Sequence, residues 1–250
     1  CFWNSTLGQD VMVSRKTMLM GSQFSITLVD KDSVSANQNI DEVISEIDRI
    51  ENLISEWRPS TQISEVNRNA GIKPVKVDRE VFELTKRAIQ YSEMTQGAFD
   101  ISIIAMDKIW KFDDSMTTMP TAEQISNSVR NVGYQKIILN DVESTIFLSE
   151  KGMKIGFGSI GKGYAADKGR ELMKKNNIEA GIVDASGDLS TWGQPTDDDF
   201  WKIGIKNPFK KHKMVTVLKL NDGAVATSGS YEKYAEINGK RYAHIINPKT

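Results

Sequence analysis

The chain is poor in the residues that build disulfides and metal clusters: it has one cysteine and two histidines among 250 residues. A single cysteine excludes a disulfide within the chain and any cysteine-cluster metal site. The net charge is −1, so no strong field draws the molecule toward nucleic acid, and we expect no nucleic-acid partner. No apolar run approaches the roughly 20 residues of a membrane-spanning helix. The apolar content of 39% and the length are those of a globular protein with a substantial core.

Helix-type and strand-type patterns are mixed along the chain. Isoleucines and one valine recur at helical spacing over residues 40–54, which predicts a helix with one apolar face. Further helices are predicted over residues 81–91, from Thr121, where Gln124 completes capping-box spacing, and over residues 163–175. Strands are predicted over residues 24–29, 136–139, 145–148, 154–157, 181–184, 201–205, 215–220, 224–227, 234–237 and 242–246. Helices beside hairpins separated by turn signals predict a single α+β domain.

The single cysteine stands at position 1, ahead of the polar residues 4–10. A mature bacterial lipoprotein begins with the cysteine that carries its lipid, after its signal peptide is removed. Residues 1–15 would then form a flexible tether and residues 16–250 the folded domain. The alternative, a start of the numbering without biological meaning, stays open on the residues alone.

A glycine-rich segment, residues 154–167, is the most informative part of the chain. Gly156, Gly158, Gly161 and Gly163 surround Lys162 between an apolar run and a predicted helix. Glycines let backbone N–H groups approach a ligand, and a helix N-terminus adds positive partial charge, so the segment predicts a phosphate or pyrophosphate site. The formal dinucleotide fingerprint lies too far along the chain for a Rossmann unit, and a P-loop would need Ser or Thr at position 163. The alternative is that the glycines serve helix–strand packing only.

Several other motifs are weak when taken singly, because caps, turns and core packing explain each of them. They are Trp57 after the first helix, Gly97-Ala-Phe-Asp100, Gly187-Asp188 at a strand end, the hydroxyl-rich Thr227-Ser-Gly-Ser-Tyr231, and His244 beside Asn247-Pro248. Gly97 and Asp100 have the chemistry of helix caps, whereas Trp57 has the flat surface that stacks on a ring. The second histidine, His212, lies in a basic loop and is given no role.

The order of these motifs is far more specific than any one of them. Along the chain stand Met20-Gly21, Ser55-x-Trp57 with Ser60 and Asn67, Gly97-Ala-Phe-Asp100, Gly158-Ser-Ile-Gly-Lys-Gly-Tyr-Ala-Ala-Asp167, Gly187-Asp188, Ala226-Thr-Ser-Gly229 and His244-Ile-Ile-Asn-Pro248. From Met20 to the end, this series resembles the ApbE family of FAD:protein FMN transferases.

The resemblance implies a single ApbE-like, T-fold-like α+β domain with mixed or antiparallel sheets and flanking helices, which binds FAD in an elongated cleft. It implies Mg²⁺-dependent transfer of FMN from FAD to a Thr or Ser of a target flavoprotein through a phosphoester, with release of AMP. The implied acceptor is a flavoprotein subunit of a membrane redox complex. Many family members are periplasmic lipoproteins, so the resemblance favours a lipid on Cys1 and a periplasmic, membrane-anchored location.

The resemblance also carries roles to particular residues. The carbonyl of Gly161 matches a position that helps to hold Mg²⁺, and Trp57 matches an aromatic that stacks on the flavin nucleotide. His244 is the candidate base that deprotonates the acceptor hydroxyl. The other positions in ligand-contacting motifs are Met20, Ala98, Phe99, Asp100, Gly158, Ser159, Lys162, Tyr164, Asp167, Asp188, Thr227 and Ile246.

The chain departs from the family pattern at three places. The family's Ile-Asp-Leu-Gly reads Ile155-Gly-Phe-Gly158, so an acidic side chain is missing, and the family's His-Ile-Ile-Asp-Pro has Asn247 in place of Asp. The family continues beyond position 250 with an Asp and a Thr or Ser that bind Mg²⁺. We therefore expect the 250 residues to be part of a longer protein; the alternative is impaired metal binding.

Three other functions remain open on the sequence. The same site would serve an FAD pyrophosphatase that releases FMN and AMP. A lipoprotein that binds FAD without catalysis has the same motifs. The dinucleotide fingerprint alone would suit a nicotinamide-dependent dehydrogenase.

Overall fold

The computed structural model describes residues 10–113, 115–208, 210, 213–229 and 234–248, so Cys1 and His212 lie outside the described residues. The chain divides into two compact units, and each is built from two separate stretches of sequence. The first unit comprises Cys1–Glu51 and Ile160–Thr227, and the second comprises Asn52–Ser159 and Ser228–Thr250. Both mix helices with antiparallel sheets, which confirms the predicted α+β class. Within the described ranges, no helix has the length and apolar character needed to cross a bilayer.

Twelve strands and five α-helices are described along the chain. In order they are β1 (Val11–Leu19), β2 (Ser22–Asp30), α1 (Ser33–Ile54), α2 (Gln62–Arg68), β3 (Val75–Lys76), α3 (Arg79–Met94), α4 (Ala122–Ser128), β4 (Ile137–Asn140), β5 (Thr145–Leu148), α5 (Gly161–Lys175), β6 (Ala180–Ala185), β7 (Asp188–Trp192), β8 (Trp201–Lys206), β9 (Met214–Leu220), β10 (Gly223–Ala226), β11 (Tyr234–Ile237) and β12 (Lys240–Ala243). Short 3-10 helices cover Ile101–Ala105 and Tyr134–Lys136.

The first unit is organised around a five-stranded sheet with the order β1-β2-β6-β7-β10, in which every neighbouring pair is antiparallel. Phe24, Ile26 and Leu28 of β2 alternate with less buried residues and are completely buried, as expected for a strand with one face on a core. The strands β8 and β9 form a separate antiparallel pair.

Two long helices pack in the first unit. The α1 residues Ile40, Val43, Ile47 and Ile50 are fully buried, which confirms the apolar face predicted from their spacing. In α5, a Cβ built on Gly169 would lie 3.0 Å from the Val43 side chain and 3.3 Å from the Val183 side chain of β6. The absence of a side chain at position 169 therefore lets α5 lie close to both α1 and the sheet.

The second unit contains the three-stranded antiparallel sheet β3-β5-β4 and the hairpin β11–β12. Its buried side chains come from helices, strands and loops alike, and include Ile63, Phe82, Ile101, Ile146 and Phe157. The helix predicted from Thr121 is confirmed as α4, and the Thr121–Gln124 capping box is present with both reciprocal hydrogen bonds.

Two predictions near the ends of the folded region need correction. Residues 11–15 do not belong to a tether, because β1 begins at Val11 and pairs along its whole length with β2. The strand predicted over residues 242–246 is instead β12, which ends at Ala243, because the Asn238–Gly239 turn places Ala243 opposite Tyr234, the first residue of β11.

The strand predicted over residues 154–157 is wrong. Its backbone groups bond to a side chain and a 3-10 helix instead of a strand: Asn67 Nδ2 donates to the Ile155 carbonyl at 2.9 Å, and the Ile155 N–H donates to Asn67 Oδ1 at 2.8 Å. The Gly156 N–H donates to the carbonyl of Ile101 at 3.0 Å. The buried backbone of Ile155 and Gly156 is thus satisfied without a sheet. The sequence also gave no indication of β3, α2 or β7.

A substitution at Gly181 of β6 would test how closely the first unit is packed. A Cβ there would lie 2.5 Å from Trp192 Cη2 and 2.8 Å from the Thr27 carbonyl, and the Trp192 indole is buried with its Nε1 donating to Ile178 O. We expect Gly181→Ala to lower the free energy of unfolding by about 1–3 kcal/mol through overpacking, measured by denaturant titration. Gly223→Ala is the control, because its Cβ would meet only an ordinary contact at 3.6 Å. Equal unfolding midpoints for both variants would contradict this packing.

Candidate functional site

The predicted phosphate segment opens α5 in the first unit. The helix begins at Gly161, its N-cap residue Ile160 provides no side-chain cap, and its first turn contains no acidic residue. A Cβ on Gly163 would meet no heavy atom within 4 Å. The first amide N–H groups of a 15-residue helix are therefore not capped by a side chain, and the space beside Gly163 is open. This arrangement suits an anion.

Lys162 extends from the first turn of α5 to the hairpin between β6 and β7. Its Nζ lies 3.2 Å from Asp188 Oδ2 and 3.5 Å from the Ala185 carbonyl oxygen. Both side chains of the Lys162–Asp188 pair are partly accessible, at 29% and 19%. The ammonium is therefore held at the end of the hairpin but remains within reach of solvent.

The hairpin turn itself is tightly constrained. Ser186 and Gly187 have φ values of 61° and 98°, as a two-residue type I′ turn requires at both positions. The Gly187 N–H donates to Asp184 Oδ1 at 2.8 Å, while Thr227 donates to the Gly187 carbonyl from its N–H at 3.2 Å and its Oγ1 at 3.1 Å. A Cβ at position 187 would lie 2.5 Å from Thr227 Oγ1. Lys162, Asp188 and Thr227, predicted separately from sequence, thus gather around one turn.

Two more predicted residues lie on the α5 helix. The Ser190 hydroxyl of β7 donates to Asp167 Oδ1 at 2.8 Å, which fixes the Asp167 carboxylate against the sheet. The Tyr164 ring is half-buried, with the Lys168 ammonium 5.6 Å from its centroid. Both residues are therefore held by neighbours within the first unit.

The far end of α5 is held by an ion-pair network at the surface. Lys174 Nζ and Arg170 Nη2 lie 2.8 Å and 3.1 Å from Asp222 Oδ1. The hydrogen bond from Lys174 holds the pKa of the Asp222 carboxyl below its ordinary value of 3.8. A carboxyl whose pKa is lowered by folding adds stability above its unfolded pKa and loses it as the pH falls through the folded pKa, so this contact weakens only in acid. Because Asp222 is exposed, these ion pairs contribute little to the free energy of unfolding.

Met20 occupies another two-residue turn, between β1 and β2. Met20 and Gly21 both have positive φ, 49° and 67°, and the Met20 N–H donates to Glu51 Oε2 of α1 at 3.1 Å. A methionine with a left-handed backbone conformation is uncommon, and here the hydrogen bond to the Glu51 carboxylate holds the Met20 backbone in place.

In the second unit, the segment Gly97–Asp100 acts as a double cap. The N–H groups of Gln96 and Gly97 donate to the carbonyls of Glu93 and Ser92, at 2.9 Å and 2.6 Å, which is the Schellman motif at the end of α3. Asp100 then caps the next 3-10 helix: its Oδ1 accepts from Ser102 N at 2.8 Å and Ser102 Oγ at 2.6 Å.

The Asp100 carboxylate is only 7% exposed, and its other oxygen, Oδ2, accepts from the Tyr134 N–H at 2.8 Å. Within the protein, Asp100 therefore acts as a helix cap, which is the alternative role that the sequence left open. The neighbouring Ala98 is exposed and Phe99 is half-buried, with its ring 6.2 Å from Tyr91 in an edge-to-face arrangement.

Trp57 is not a core residue, because its side chain is 80% exposed. The Lys108 ammonium lies 6.0 Å from its ring centroid. The backbone around it is nevertheless fixed: Thr61 Oγ1 donates to the Ser55 carbonyl at 2.7 Å, and Ser64 Oγ donates to the Arg58 carbonyl at 2.8 Å. A large flat ring on a rigid loop is available for stacking.

The glycines of residues 156–163 differ in what they do. A Cβ on Gly156 would lie 2.9 Å from Ile104 Cδ1 and 3.0 Å from Glu56 Oε1, so a larger residue here would require the ends of these two side chains to shift. Gly158 and Ser159 are exposed, and the nearest atom to a Cβ on Gly158 is Glu56 Oε1 at 3.9 Å. Packing therefore gives a reason for glycine at position 156 but none at the open position 163.

The second unit also contains a cavity of about 380 Å³ with a largely apolar lining. Trp110, Phe112, Tyr242 and Ile246 are among the residues that line it. His244 follows β12, is exposed, and lies edge-to-face with Phe112 at 6.4 Å. Ile246 and His244 are thus close to an aromatic cluster, although the sequence offered no sign of Trp110 or Phe112.

No group of three or more His, Cys, Asp or Glu side chains is placed to hold a metal ion in the part of the chain that the structure describes. Two acidic residues at the predicted sites received no role from sequence: Glu51, which fixes Met20, and Glu56, which lies beside Gly156 and Gly158. The only sequence signal for Glu56 was its position directly before Trp57.

Asp100 supports a prediction about the stability of the second unit. Asp100→Ala leaves the Tyr134 amide and the N-terminus of a 3-10 helix without their acceptor in a buried place, so we expect the free energy of unfolding to fall by about 3 kcal/mol. Urea unfolding measures the change, with Asp107→Ala as the exposed control. If both variants unfold at the same urea concentration, the Asp100 carboxylate is not the cap described here.

Comparison with known proteins agrees with the motif order. Residues 20–250 match the sequence pattern of the ApbE family. A Klebsiella pneumoniae protein named FAD:protein FMN transferase is 32% identical over 238 residues, which cover 95% of this chain and 72% of that protein. A Treponema pallidum protein of the same name is 27% identical and is covered over 70% of its length.

Solved structures of ApbE proteins have the same fold as this chain. The crystal structure of the Thermotoga maritima ApbE protein has a TM-score of 0.84 and 28% identity, covering 96% of this chain and 77% of that one. The apo form of the Pseudomonas stutzeri flavinyl transferase ApbE has a TM-score of 0.82 and 26% identity, covering 96% and 75%. The chain belongs to the ApbE family.

Proposed function

We propose that this protein transfers FMN from FAD to a Thr or Ser hydroxyl of a target flavoprotein through a phosphoester bond and releases AMP. The observation that carries the proposal is the uncapped, glycine-rich start of α5 with the Lys162 ammonium beside it, in a chain whose relatives are named FAD:protein FMN transferase. Helix N–H groups and a nearby ammonium are the groups that bind and neutralise a pyrophosphate.

The reaction needs charge stabilisation and positioning more than covalent chemistry from the protein. The acceptor hydroxyl oxygen forms a bond to the phosphorus on the FMN side of FAD, and the bond from that phosphorus to the bridging oxygen breaks. AMP leaves with the bridging oxygen and the electron pair. We propose that His244 accepts the hydroxyl proton and that Lys162 stabilises the negative charge that develops on the phosphoryl oxygens.

We further propose Mg²⁺ as the metal, with the Gly161 carbonyl as one ligand. Mg²⁺ is usually held by only one or two protein oxygens, and substrate phosphates and waters complete its shell. A site without three clustered side chains in the described residues is compatible with that coordination. When bound, the ion supplies additional neutralisation of phosphate charge.

The remaining assignments rest on the resemblance and are proposed with it. Trp57 has the exposure and rigid backbone needed to stack on a flat ring. Met20, Ala98, Phe99, Asp100, Gly158, Ser159, Tyr164, Asp167, Asp188, Thr227 and Ile246 are proposed ligand-contacting positions. The acceptor subunit of a membrane redox complex and the periplasmic, lipid-anchored location stay predictions, since Cys1 lies outside the described residues.

The proposal is tested by incubating the protein with FAD, Mg²⁺ and a flavoprotein subunit of a membrane redox complex as acceptor. We expect covalent flavin fluorescence on the acceptor in a denaturing gel, one AMP for each flavin attached, and loss of both with EDTA. Free FMN and AMP without labelled acceptor would replace the proposal with FAD pyrophosphatase. Bound FAD without AMP would indicate a non-catalytic binding protein, and NADH binding without FAD binding would indicate a dehydrogenase.

In the same assay, His244→Asn separates binding from chemistry. Removal of a general base typically lowers the rate by about 10²- to 10⁴-fold, so we expect the rate of AMP release to fall by that factor while the FAD dissociation constant stays within about threefold. A wild-type rate in His244→Asn would show that another group accepts the proton.

Lys162 gives a separate prediction about substrate binding. Lys162→Met removes the ammonium beside the α5 N-terminus, and we expect the dissociation constant for FAD to rise by about 10- to 100-fold because a charge-assisted contact is lost. Lys174→Met is the matched control, because this lysine lies in the last turn of the same helix and pairs with Asp222. Calorimetric titration with FAD measures both; equal affinities would remove Lys162 from the proposed site.

A further inference from the structure

Asp188 is the first residue of β7, and its backbone is held between two strands. In the antiparallel ladders it lies opposite Ala185 of β6 on one side and Ala226 of β10 on the other. The Gly187 turn, to whose carbonyl Thr227 donates two hydrogen bonds, comes directly before it. The Asp188 side chain therefore starts from a backbone position that is fixed on both sides.

The face of β7 that carries the Asp188 side chain lies against α5. Asp188 Oδ2 is 3.2 Å from the Nζ of Lys162, in the first turn of that helix. Two residues further along the strand, on the same face, the Ser190 hydroxyl donates to Asp167 Oδ1 of α5 at 2.8 Å. Two side chains on one face of β7 thus contact the helix, and Asp188 is the one that contacts the ammonium of its first turn.

The Lys162 ammonium keeps a donor for a ligand. An ammonium has three N–H donors. Two acceptors face it in the described part of the chain: Asp188 Oδ2 and, at the longer distance of 3.5 Å, the Ala185 carbonyl oxygen. At least one N–H group therefore remains at the start of α5, where 29% of the lysine side chain is accessible to solvent. Asp188 thus holds the cation without occupying all of its donors.

The Asp188 carboxylate gains nothing from direct contact with a phosphate. An ionised carboxylate has acceptors only, and its charge repels a phosphoryl oxygen. A mobile lysine, by contrast, loses rotamer freedom when it binds an anion, and a lysine that is already held in place loses less. Solvent reaches both side chains of the Lys162–Asp188 pair and screens the repulsion. A favourable effect of Asp188 on pyrophosphate binding therefore acts through Lys162.

We infer that Asp188 is a positioning residue: it holds the Lys162 ammonium at the start of α5, where the pyrophosphate of the dinucleotide binds, and does not itself contact the ligand. The inference rests on the proposed function for the identity of the anion. It gives Asp188 a different role from the ligand contact that the family resemblance implies.

The inference is tested by a double-mutant cycle of Asp188→Ala and Lys162→Met, with FAD binding measured by calorimetric titration. In the wild-type background we expect Asp188→Ala to raise the dissociation constant by about 3- to 10-fold, because the ammonium is released into several rotamers. In the Lys162→Met background the same substitution should not weaken binding, since the only effect of Asp188 that remains there is its repulsion of the phosphate. Asp188→Leu, which also lacks an acceptor, should behave like Asp188→Ala and replaces it if the alanine variant does not fold.

Asp188→Asn is the conservative variant. Its amide oxygen still accepts a hydrogen bond from the Lys162 ammonium, so we expect the FAD dissociation constant to stay within about twofold of the wild-type value. A loss as large as that in Asp188→Ala would contradict positioning through this hydrogen bond. Asp222→Ala is the matched control, because Asp222 also pairs with a lysine of α5, Lys174, in the last turn of the helix. It should bind FAD as the wild type does.

The outcomes separate this inference from the proposed function. If the wild type transfers FMN, the inference is overturned either by an equal loss of affinity from Asp188→Ala in both backgrounds, which indicates direct contact with the ligand or a general structural role, or by no loss in either. If the wild type does not bind FAD, the proposed function fails, and the cycle is measured with inorganic pyrophosphate. A loss from Asp188→Ala only where Lys162 is present would then support positioning, whereas a wild type that binds neither ligand would overturn both.

Discussion

The hydrogen bonds around Gly187 are the constraint on which the first unit's candidate site depends. They join three parts of the chain: Asp184 accepts from the turn, Thr227 donates to it from beyond β10, and Lys162 lies above it at the start of α5. Only glycine fits, because a Cβ would overlap Thr227 Oγ1. The positions of the Lys162 ammonium, the Asp184 carboxylate and the Thr227 hydroxyl thus depend on the left-handed backbone conformation of Gly187.

Much of the fold could be predicted because its signals are local. The buried isoleucines of α1, the capping box of α4 and the alternation in β2 each depend on residues a few positions apart. Prediction failed where backbone groups bond to distant partners. Residues 154–157 have the apolar composition of a strand, but their partner is the side chain of Asn67, which no local pattern reveals. The first strand was missed because its apolar and polar residues do not alternate with its burial: Met12 and Met18 are exposed, whereas Arg15 and Thr17 lie on the less exposed face.

The candidate site likewise contains residues that could be predicted from local sequence and residues that could not. The glycine-rich start of α5 and Lys162 were evident from sequence, because glycine spacing and charge act through the adjacent backbone. The contact between Glu56 and Gly156 was not, since it joins residues one hundred positions apart and leaves no periodic trace. Asp100 illustrates a third case: its capping chemistry was readable, whereas its bond to the Tyr134 amide requires the tertiary structure.

The close approach at Gly169 has a consequence for the first turn of α5, which we propose binds phosphate. Lys162 stands seven residues before Gly169, about 10 Å along a rigid helix. A methyl group at position 169 would lie 3.0 Å from Val43 and 3.3 Å from Val183, so either these side chains or the helix must give by a few tenths of an ångström. Any part of this shift that the helix takes up would also move its first turn, so the packing at Gly169 bears on the position of Lys162.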